Sequence, residues 1–556
     1  MLLINNTTLS LELFMGTLPE YAILSHTWED GEVTLEDFTH EDKTVRSKKK
    51  GFAKIQKTCQ LATALGLKYS WVDTCCIDKK SSAELTEAIN SMFKWYQGAA
   101  VCFAWLADLP MQKKPQPGVV AGLGECRWFT RGWTLQELIA PSRVEFYDAK
   151  WKFRGTKEDL AGQLTSITNI SGEALRDPSI LPRLSIAQRM AWAAGRQTTR
   201  IEDMAYCLLG IFGVNMSMMY GEGERAFIRL QENIAAQSND FSLFAWRDDA
   251  ETQTYRGAFA NSPREFRHAT SVQLIGSAAY NPEFLITNKG LRLTPSLFPG
   301  PDGAYFLGLN CIDSSRSPAG QKDDELGIWI RPHGAGVYSR VKSSEYAFRT
   351  PSEQAPKVIR VFISRTLTPE ASREFEKSST DHAFVLRRGF NEMNISTHDP
   401  AFPFEAIQVL PNEQWDSQRR MFVTQGAGDF SAYAYFMPRY SHNMFKNQEL
   451  FSSENFILAF GRKLSEGGEP WVCVGSLTQD GSIQAAIGDA RKMAVVIRKS
   501  RDQRMLLLRD GKLKIAKALH VSLETHKNGS QVTYYIDMEI KEAAPEFKGR
   551  DDFLEY

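Results

Sequence analysis

Residues 126–141 read CRWFTRGWTLQELIAP, and this stretch determines how the amino-terminal part of the chain is organised. Its apolar residues recur at the spacing of one helical face: Trp133, Leu135, Leu138 and Ile139. Pro141 cannot continue a helix, so the helix is expected to end before it. Glu137 follows Trp133 by one helical turn, which predicts a carboxylate beside an indole. We take Glu137 as the leading catalytic candidate, with a surface carboxylate on an ordinary amphipathic helix as the alternative.

Around this stretch, short apolar runs alternate with helical patterns. Strands are predicted over residues 21–25, 69–72, 100–106 and 144–147, and helices over residues 52–65 and 82–96. Such alternation is typical of an α/β domain in which helices cover a mostly parallel sheet. Ligands of these sheets bind beyond the carboxyl ends of the strands.

Polar residues follow each of the first three predicted strands, where a ligand would bind. Ser25, His26 and Trp28 follow the first strand, residues 73–78 follow the second, and residues 131–137 follow the third. We therefore expect these groups to converge on one edge of the sheet, which strengthens the case for a catalytic acid there.

The composition limits the classes of partner. Lys and Arg together number 66 and so do Asp and Glu, so the chain has no net charge to attract nucleic acid or an anionic membrane. No run approaches the roughly 20 apolar residues that span a bilayer. The start of the chain, MLLINNTTLSLELF, lacks the basic start and the sustained apolar core of a signal peptide. We expect neither nucleic acid nor a membrane span.

The cysteines suggest a reducing compartment and a second catalytic hypothesis. Eight cysteines, including the adjacent Cys75 and Cys76, form no Cys-x-x-Cys pair, which favours reduced thiols in a cytosolic protein and argues against structural zinc. Cys75 or Cys76 could act as a nucleophile with His26 as its base. Against this, a buried, unreactive thiol is the commoner state of cysteine.

Three separated blocks resemble a known family. YAILSHTW from residue 21, YSWVDTCCIDK from residue 69 and RGWTLQELIAP from residue 131 are similar, in order and spacing, to the signature blocks of the fungal heterokaryon-incompatibility (HET) domain. The resemblance covers roughly residues 20–150. Residues 189–234 resemble the helical segment that usually follows this domain. The family is associated with incompatibility cell death, so the resemblance implies a cytoplasmic cell-death effector.

HET domains are in turn regarded as distant relatives of TIR domains, which have a flavodoxin-like fold. The TIR pattern Ser-x-Trp-Cys-x-x-Glu-Leu is matched here at Trp133, Glu137 and Leu138, whereas Arg131 and Thr134 replace the usual Ser and Cys. In TIR enzymes this glutamate cleaves nicotinamide from NAD. The resemblance therefore implies an NAD⁺ glycohydrolase with Glu137 as the catalytic residue and NAD⁺ as substrate, without a further cofactor.

The residue types suit this chemistry. A carboxylate can stabilise the oxocarbenium character that builds on the ribose, and one suffices because nicotinamide leaves as a neutral molecule. Trp28 or Trp133 could stack on a ring of the dinucleotide, and Arg131 could pair with its phosphates.

The remaining candidates each have a plain structural alternative. Ser25 and His26 could bind the ribose or a phosphate, or His26 could cap the strand end. Asp73 and Asp78 could orient the ribose or cap turns, and the turn role is favoured for Asp78.

A non-enzymatic alternative remains open. A TIR-like surface could assemble with copies of itself or with a partner and signal without catalysis. TIR-type sites are often completed across protomers, so either function implies a homo-oligomer or an assembly induced by a partner.

The rest of the chain divides into a helical part and a strand-rich part. Residues 156–248 are predicted to be a helical extension, with Ser185 as a helix N-cap. Gly221 and Gly223 suggest a nucleotide-binding loop, but no Lys-Ser or Lys-Thr pair follows them, so a tight turn before a packing helix is expected.

Residues 249–556 read as short strands with hairpins at Asp510-Gly511 and Asn528-Gly529, which predicts one or two antiparallel sandwich-like domains. Recognition, or autoinhibition of the first domain, is the hypothesis for this region. The predicted domains are thus residues 1–155, 156–248 and 249–556.

Overall fold

The computed structural model describes residues 1–111, 118–300, 304–316, 324–334, 336–350, 360–379, 383–386, 404–411, 414–416, 421–423, 429–438, 456–462, 469–476, 504–509, 515–528 and 531–546.

A seven-stranded sheet forms the amino-terminal part. Its strands are β1 (Leu2–Asn5), β2 (Leu11–Leu13), β3 (Tyr21–His26), β4 (Tyr69–Trp71), β5 (Val101–Trp105), β6 (Val144–Tyr147) and β7 (Phe153–Thr156). Their order in the sheet is β2-β1-β4-β3-β5-β6-β7. The central strands β4, β3, β5 and β6 pair in parallel, whereas the outer pairings are antiparallel.

Numbered along the chain, the four parallel strands lie in the order 2-1-3-4, which is that of flavodoxin-like sheets. The predicted α/β arrangement is confirmed here, whereas a relation to TIR domains stays a prediction. Strands β1, β2 and β7 were not predicted, because strands of three or four residues toward the two ends of the sheet carry little pattern of their own.

Helices cover both faces of this sheet. They are α1 (Leu35–Thr39), α2 (Thr44–Ser47), α3 (Phe52–Ala64), α4 (Asp73–Cys76), α5 (Ser82–Gln97) and α6 (Thr134–Ile139), with 3₁₀ turns at Leu123–Glu125 and Arg127–Thr130. The connection through α3 moves one way across the sheet, while those through α5 and α6 move the other way. Because parallel crossovers are right-handed, α3 lies on one face of the sheet and α5 and α6 lie on the other.

The helix that carries Glu137 is short and wholly buried. All six residues of α6 are buried, so the amphipathic helix that the spacing predicted has no solvent face. Lys157 stabilises its carboxyl-terminal end: the ammonium donates to the carbonyl oxygens of Leu138 at 3.2 Å and Ile139 at 3.4 Å, and also to that of Pro141. These carbonyls have no partner within a helix that ends here, so Lys157 supplies it.

Six further helices occupy the segment that was predicted to be helical. They are α7 (Ala161–Thr168), α8 (Gly172–Arg176), α9 (Ile186–Ala191), α10 (Asp203–Tyr206), α11 (Leu209–Phe212) and α12 (Arg225–Ala235), with 3₁₀ turns at Pro178–Arg183 and Phe241–Phe244. Ser185 caps α9 as predicted, since its hydroxyl accepts from the amide of Gln188 at 3.1 Å. The amides of Gly221 and Gly223 donate to Glu202 at 2.8 and 3.2 Å, which confirms a turn here in place of a phosphate-binding loop.

The remaining described residues form three more sheets. The strands are β8 (Val272–Leu274), β9 (Phe284–Thr287), β10 (Gly290–Leu293), β11 (Leu297–Pro299), β12 (Tyr305–Asp313), β13 (Glu325–Gly334), β14 (Val337–Val341), β15 (Ala347–Arg349), β16 (Val361–Ile363), β17 (Ala383–Leu386), β18 (Phe404–Leu410), β19 (Trp415–Asp416), β20 (Met421–Val423), β21 (Phe430–Pro438), β22 (Phe456–Arg462), β23 (Pro470–Ser476), β24 (Met505–Arg509), β25 (Ile515–Asn528) and β26 (Gln531–Glu542). One helix, α13 (Pro369–Ser379), and 3₁₀ turns at Pro263–Phe266 and Ala278–Tyr280 lie among them.

These strands are distributed over sheets of nine, six and four strands. The nine-stranded sheet contains β8–β16; the six-stranded sheet has the order β19-β20-β17-β26-β25-β24; and the four-stranded sheet has the order β18-β21-β22-β23. β25 and β26 form the hairpin predicted at Asn528, where Asn528 pairs with Gln531. Asp510-Gly511 lies outside the described residues, although its flanking strands β24 and β25 pair antiparallel as a hairpin requires.

The two largest hydrophobic cores of the described residues run through these elements. The first is continuous from Leu3 to Ile363, so it crosses both predicted boundaries, at residues 156 and 249. The buried Arg340 of β14 illustrates this continuity: it donates to the carbonyl of Phe244 at 2.9 Å, and its guanidinium lies 3.8 Å from the ring centroid of Trp246. The second core joins the six- and four-stranded sheets. A sandwich architecture stays a prediction.

Among the described residues, no helix combines the length and the apolar character that a membrane crossing requires.

Candidate functional site

Five of the eight predicted site residues fall into two clusters on opposite faces of the first sheet: Ser25 and Glu137 in one, and His26, Trp28 and Asp73 in the other. Ser25 and His26 are consecutive in β3, so their side chains point to opposite faces. Ser25 contacts Glu137 on α6, whereas His26 contacts Lys54 on α3 and Asp73 at the start of α4. The predicted groups therefore share the carboxyl edge of the sheet but do not form one constellation.

The first cluster, which we call the acid cluster, consists of Ser25, Tyr96, Trp128 and Glu137. The indole of Trp128 donates to Ser25 Oγ at 2.8 Å, and Ser25 Oγ in turn donates to Glu137 Oε2. Tyr96 also hydrogen-bonds to Glu137, and its hydroxyl donates to the carbonyl of Leu24 at 3.0 Å.

Burial controls the charge of Glu137. The residue is only 7% exposed, and desolvation raises its pKa to about 8, against the opposing effect of the hydrogen bond from Ser25. The carboxyl group is therefore largely protonated at neutral pH. Glu137 is therefore not the surface carboxylate that was its predicted alternative.

The second cluster, which we call the rim cluster, contains His26, Trp28, Lys54 and Asp73. Asp73 accepts from His26 Nε2 at 3.1 Å and from the indole of Trp28 at 2.8 Å. Lys54 Nζ lies 3.3 Å from His26 Nδ1. A carboxylate only accepts and an ammonium only donates, so Nε2 of His26 carries the hydrogen and Nδ1 accepts.

The rim cluster is charged and partly open to solvent. Burial raises the pKa of Asp73, but the hydrogen bond from His26 and the charge of Lys79 outweigh this effect and lower the pKa to about 2. Trp28 is 46% exposed, and Lys79 Nζ lies 3.4 Å from the centroid of its ring. The exposed indole therefore has a cation on one face, as cation–π pairs require.

Two other predicted residues, Arg131 and Trp133, precede α6 and contact the helical segment. Arg131 donates from Nη1 to Thr199 Oγ1 at 3.3 Å. The indole of Trp133 hydrogen-bonds to Asp203, so the carboxylate that it binds is Asp203 and not Glu137 as the spacing had suggested. Both side chains are half-buried.

Asp78 takes part in a turn. Its Oδ1 accepts from the backbone amide of Lys80 at 2.8 Å, which is the role that the sequence analysis favoured.

Sequence reasoning missed four residues that contact the predicted ones: Tyr96, Trp128, Lys54 and Lys79. Trp128 lies in residues 126–141 and Lys79 ends the block that starts at residue 69, so both belong to stretches singled out in the sequence. Tyr96 and Lys54 were read as ordinary positions on the predicted helices. Side chains that reach a neighbouring strand from a helix are not distinguished by periodicity, which reports only the apolar face.

The thiols are buried away from the imidazole. Cys75 donates weakly to the carbonyl of Val72 at 3.8 Å, and burial raises the pKa of its thiol well above the usual value. A nucleophilic cysteine requires the opposite shift. All eight cysteines are buried and none forms a disulfide, and both nitrogens of His26 are occupied by Asp73 and Lys54.

Within the described ranges, no group of three or more His, Cys, Asp and Glu side chains is placed to hold a metal ion.

A cavity of about 710 Å³ lies elsewhere, between the end of α12 and β9. Its lining is apolar or uncharged polar, for example Phe284, Ser238 and Asn239, and contains no titratable side chain. Chemistry therefore favours the carboxyl edge of the first sheet as the candidate site.

One family model matches the amino-terminal part of the chain. Residues 21–117 match the family model "Heterokaryon incompatibility protein (HET)". Residues 21–117 are similar to HET domains. The match includes the rim residues and Ser25, whereas Arg131, Trp133 and Glu137 lie beyond its last residue.

One curated relative extends the similarity past the HET domain. The vegetative incompatibility protein HET-E-1 of Podospora anserina is 47% identical over 229 residues, which is 40% of this chain and 17% of that protein. The chain thus spans under a fifth of the length of this relative. No solved structure gives a significant match.

Proposed function

We propose that this chain is an effector of vegetative incompatibility that causes cell death. The support is the HET domain together with the 47% identity to a vegetative incompatibility protein over 229 residues. Expressing the full chain in a filamentous fungus tests this: growth arrest and loss of viability are expected, and normal growth at confirmed expression would contradict the proposal.

We further propose that the HET domain hydrolyses NAD⁺ and that Glu137 is its catalytic residue. The supporting observation is the placement of Glu137 at the carboxyl edge of a 2-1-3-4 parallel sheet, bound to Ser25 and Tyr96, with a pKa raised to about 8. A carboxyl group with a pKa near the working pH can change its charge when a ligand arrives.

The reaction assigns a role to this ionisation. The bond between nicotinamide and the ribose breaks, its electron pair leaves with neutral nicotinamide, and a water oxygen bonds to the ribose carbon and releases a proton. Ionised Glu137 stabilises the positive charge that develops on the ribose. The cationic nicotinamide ring of NAD⁺, beside Glu137, would lower the pKa of the carboxyl group and favour the charged form.

The proposed substrate contacts come from both clusters and from Arg131. Trp28 offers an exposed ring for stacking, and Arg131 offers a guanidinium for a phosphate. Ser25 orients the carboxyl group, while His26 and Asp73 hold Trp28 at the rim. Because Glu137 is 7% exposed, the ribose reaches it only after neighbouring residues move.

A second candidate function follows from that same burial. A buried, hydrogen-bonded carboxyl group can also have a purely structural role. The HET domain would then act as a non-enzymatic module that assembles with itself or a partner. The two candidates differ in what Glu137→Gln does. A glutamine has the shape of the protonated acid, so it preserves a structural role but cannot supply the negative charge.

The decisive experiment measures nicotinamide release from NAD⁺ by the full chain over a range of protein concentrations. We expect turnover by the wild type, loss of at least about a hundredfold in Glu137→Gln, and retention in Glu145→Gln. Glu145 is a matched control, because it is also buried on this sheet but is paired with Arg143 and Tyr147. Turnover that rises faster than protein concentration would indicate an assembled active form.

Two results would overturn the hydrolase proposal. One is the absence of nicotinamide release from folded wild type at every concentration, and the other is equal turnover by Glu137→Gln. Cell death that persists in Glu137→Gln would favour the non-enzymatic module.

A further inference from the structure

Residues 130–134, which we call the cover, lead into α6, the helix that carries Glu137, and residues 196–203 hydrogen-bond to them. The backbone amide of Gly132 donates to the carbonyl of Gln197 at 2.8 Å, and the amide of Gln197 donates to the carbonyl of Thr130 at 2.6 Å. The two segments thus pair along their backbones at the entrance to α6.

Arg196 reinforces this pairing from the interior. Its Nη1 donates to the carbonyl of Arg131 at 2.8 Å and to Thr134 Oγ1 at 3.0 Å, while Nε donates to the carbonyl of Trp192 at 3.3 Å. The residue is 3% exposed, and its Nη2 has no partner among the described residues. The helical segment therefore places a buried cation against the start of the helix that carries Glu137.

Side chains close the remaining sides of the cover. The indole of Trp133 is held by Asp203, which also accepts from the hydroxyl of Tyr220 at 2.9 Å. Arg131 is held by Thr199 at 3.3 Å. Each residue of the cover that was predicted to meet the substrate is therefore occupied by the 196–203 segment.

Gly132 shows how closely the two segments approach. A Cβ atom built on Gly132 would lie 2.5 Å from Thr198 Cγ2 and 3.1 Å from Cys207 Sγ, so a larger residue requires the Thr198 side chain to shift or the two segments to separate. At Gly195, three residues before Thr198, an added Cβ would meet nothing within 4 Å.

We propose that residues 196–203 are a built-in restraint that keeps the Glu137 site closed, and that release of this segment is the activating step. This inference rests on the proposed hydrolase function, since it names the regulation of that same site. In the closed arrangement Glu137 is enclosed and protonated, so separation of the two segments both admits the ribose and lets the carboxyl group ionise.

The test uses Gly132→Ala in the full chain as a wedge and Gly195→Ala as its matched control. Hydrogen exchange of peptides covering residues 130–140 reports opening, and nicotinamide release reports activity. We expect exchange about tenfold faster and nicotinamide release several-fold faster in Gly132→Ala, with no change in Gly195→Ala.

A second substitution makes the wedge specific. Thr198→Ser removes Cγ2, the nearest atom to the added methyl group, and keeps the hydroxyl that donates to the carbonyl of Arg200 at 2.6 Å. We expect Gly132→Ala with Thr198→Ser to return toward wild-type exchange and activity. General damage to the fold would not be reversed in this way.

The outcomes separate the restraint from the hydrolase. If hydrogen exchange is faster in Gly132→Ala but no variant releases nicotinamide, the closed arrangement stands and the hydrolase proposal is overturned. Unchanged exchange in folded Gly132→Ala, or faster exchange with lower turnover than wild type, would overturn the restraint. If Gly132→Ala fails to fold, Asp203→Asn and Thr199→Val remove side-chain contacts to the cover, and the same two readouts decide.

Discussion

Ser25 and His26 are neighbours in sequence, yet they bond to side chains on opposite faces of the sheet: Ser25 to Glu137 and His26 to Asp73. One face presents an enclosed, uncharged network and the other a charged, partly exposed network. The HET domain therefore separates the acid from the groups that can meet solvent. This separation leads to four predictions about stability and organisation.

The first prediction concerns the pH dependence of stability. The pKa of Glu137 is raised in the folded chain to about 8 from 4.5, so the folded state retains a proton that the unfolded state loses between these pH values. We expect the free energy of unfolding to fall as pH rises toward 8, by up to about 1.4 kcal/mol per pH unit. Glu137→Gln should lack this slope.

Denaturant unfolding of both proteins from pH 6.5 to 8 measures the difference. His333, whose pKa is lowered by burial to about 3 from 6.5, is present in both proteins, so its contribution cancels in the comparison. Parallel curves for the two proteins would show that Glu137 is not protonated in the fold.

The second prediction concerns Ser25→Ala. Removing the hydroxyl takes a donor from Glu137 and an acceptor from Trp128, both inside the protein. Since unsatisfied buried polar groups cost about 1–3 kcal/mol, we expect destabilisation of that order in urea unfolding. Ser166→Ala is the control, because Ser166 is exposed and donates only to the carbonyl of Gly162 within its own helix. Equal effects of the two substitutions would contradict the importance of the buried network.

The third prediction concerns Lys157, which lies under the far end of α6. Lys157→Met leaves the carbonyls of Leu138, Ile139 and Pro141 without a donor, so we expect a loss of about 1–3 kcal/mol in urea unfolding. The same substitution at the exposed Lys150 should change stability by less than about 0.5 kcal/mol. A neutral or stabilising effect of Lys157→Met would mean that burying this ammonium outweighs its hydrogen bonds.

The fourth prediction concerns truncation. A chain that ends at residue 248 exposes Phe244 and Trp246, which pack in the first core together with residues of β8–β16. We expect that fragment to aggregate or to lack fixed tertiary packing, whereas a chain that ends at residue 379 retains it. Near-UV circular dichroism and limited proteolysis compare the two. A well-packed, soluble fragment of residues 1–248 would show that the core divides at the predicted boundary.

Local sequence by itself determined the strand and helix alternation, the HET blocks and the cap at Ser185. These features depend on apolar spacing and on backbone chemistry within a few residues, and such information is present in any short window of the chain. Chain order together with right-handed crossovers also limits the sheet to few topologies, which is why the parallel arrangement could be predicted.

Only the tertiary structure decided which polar groups meet. The alternation of side chains along β3 sends Ser25 and His26 apart, and the enclosure of α6 sets the charge of Glu137, because desolvation depends on what packs around the carboxyl group from Tyr96 and Trp128. The segment that closes the site, residues 196–203, lies more than fifty residues beyond Glu137 in the chain. No local pattern reports a contact over that separation, and the charge and access of the acid depend on it.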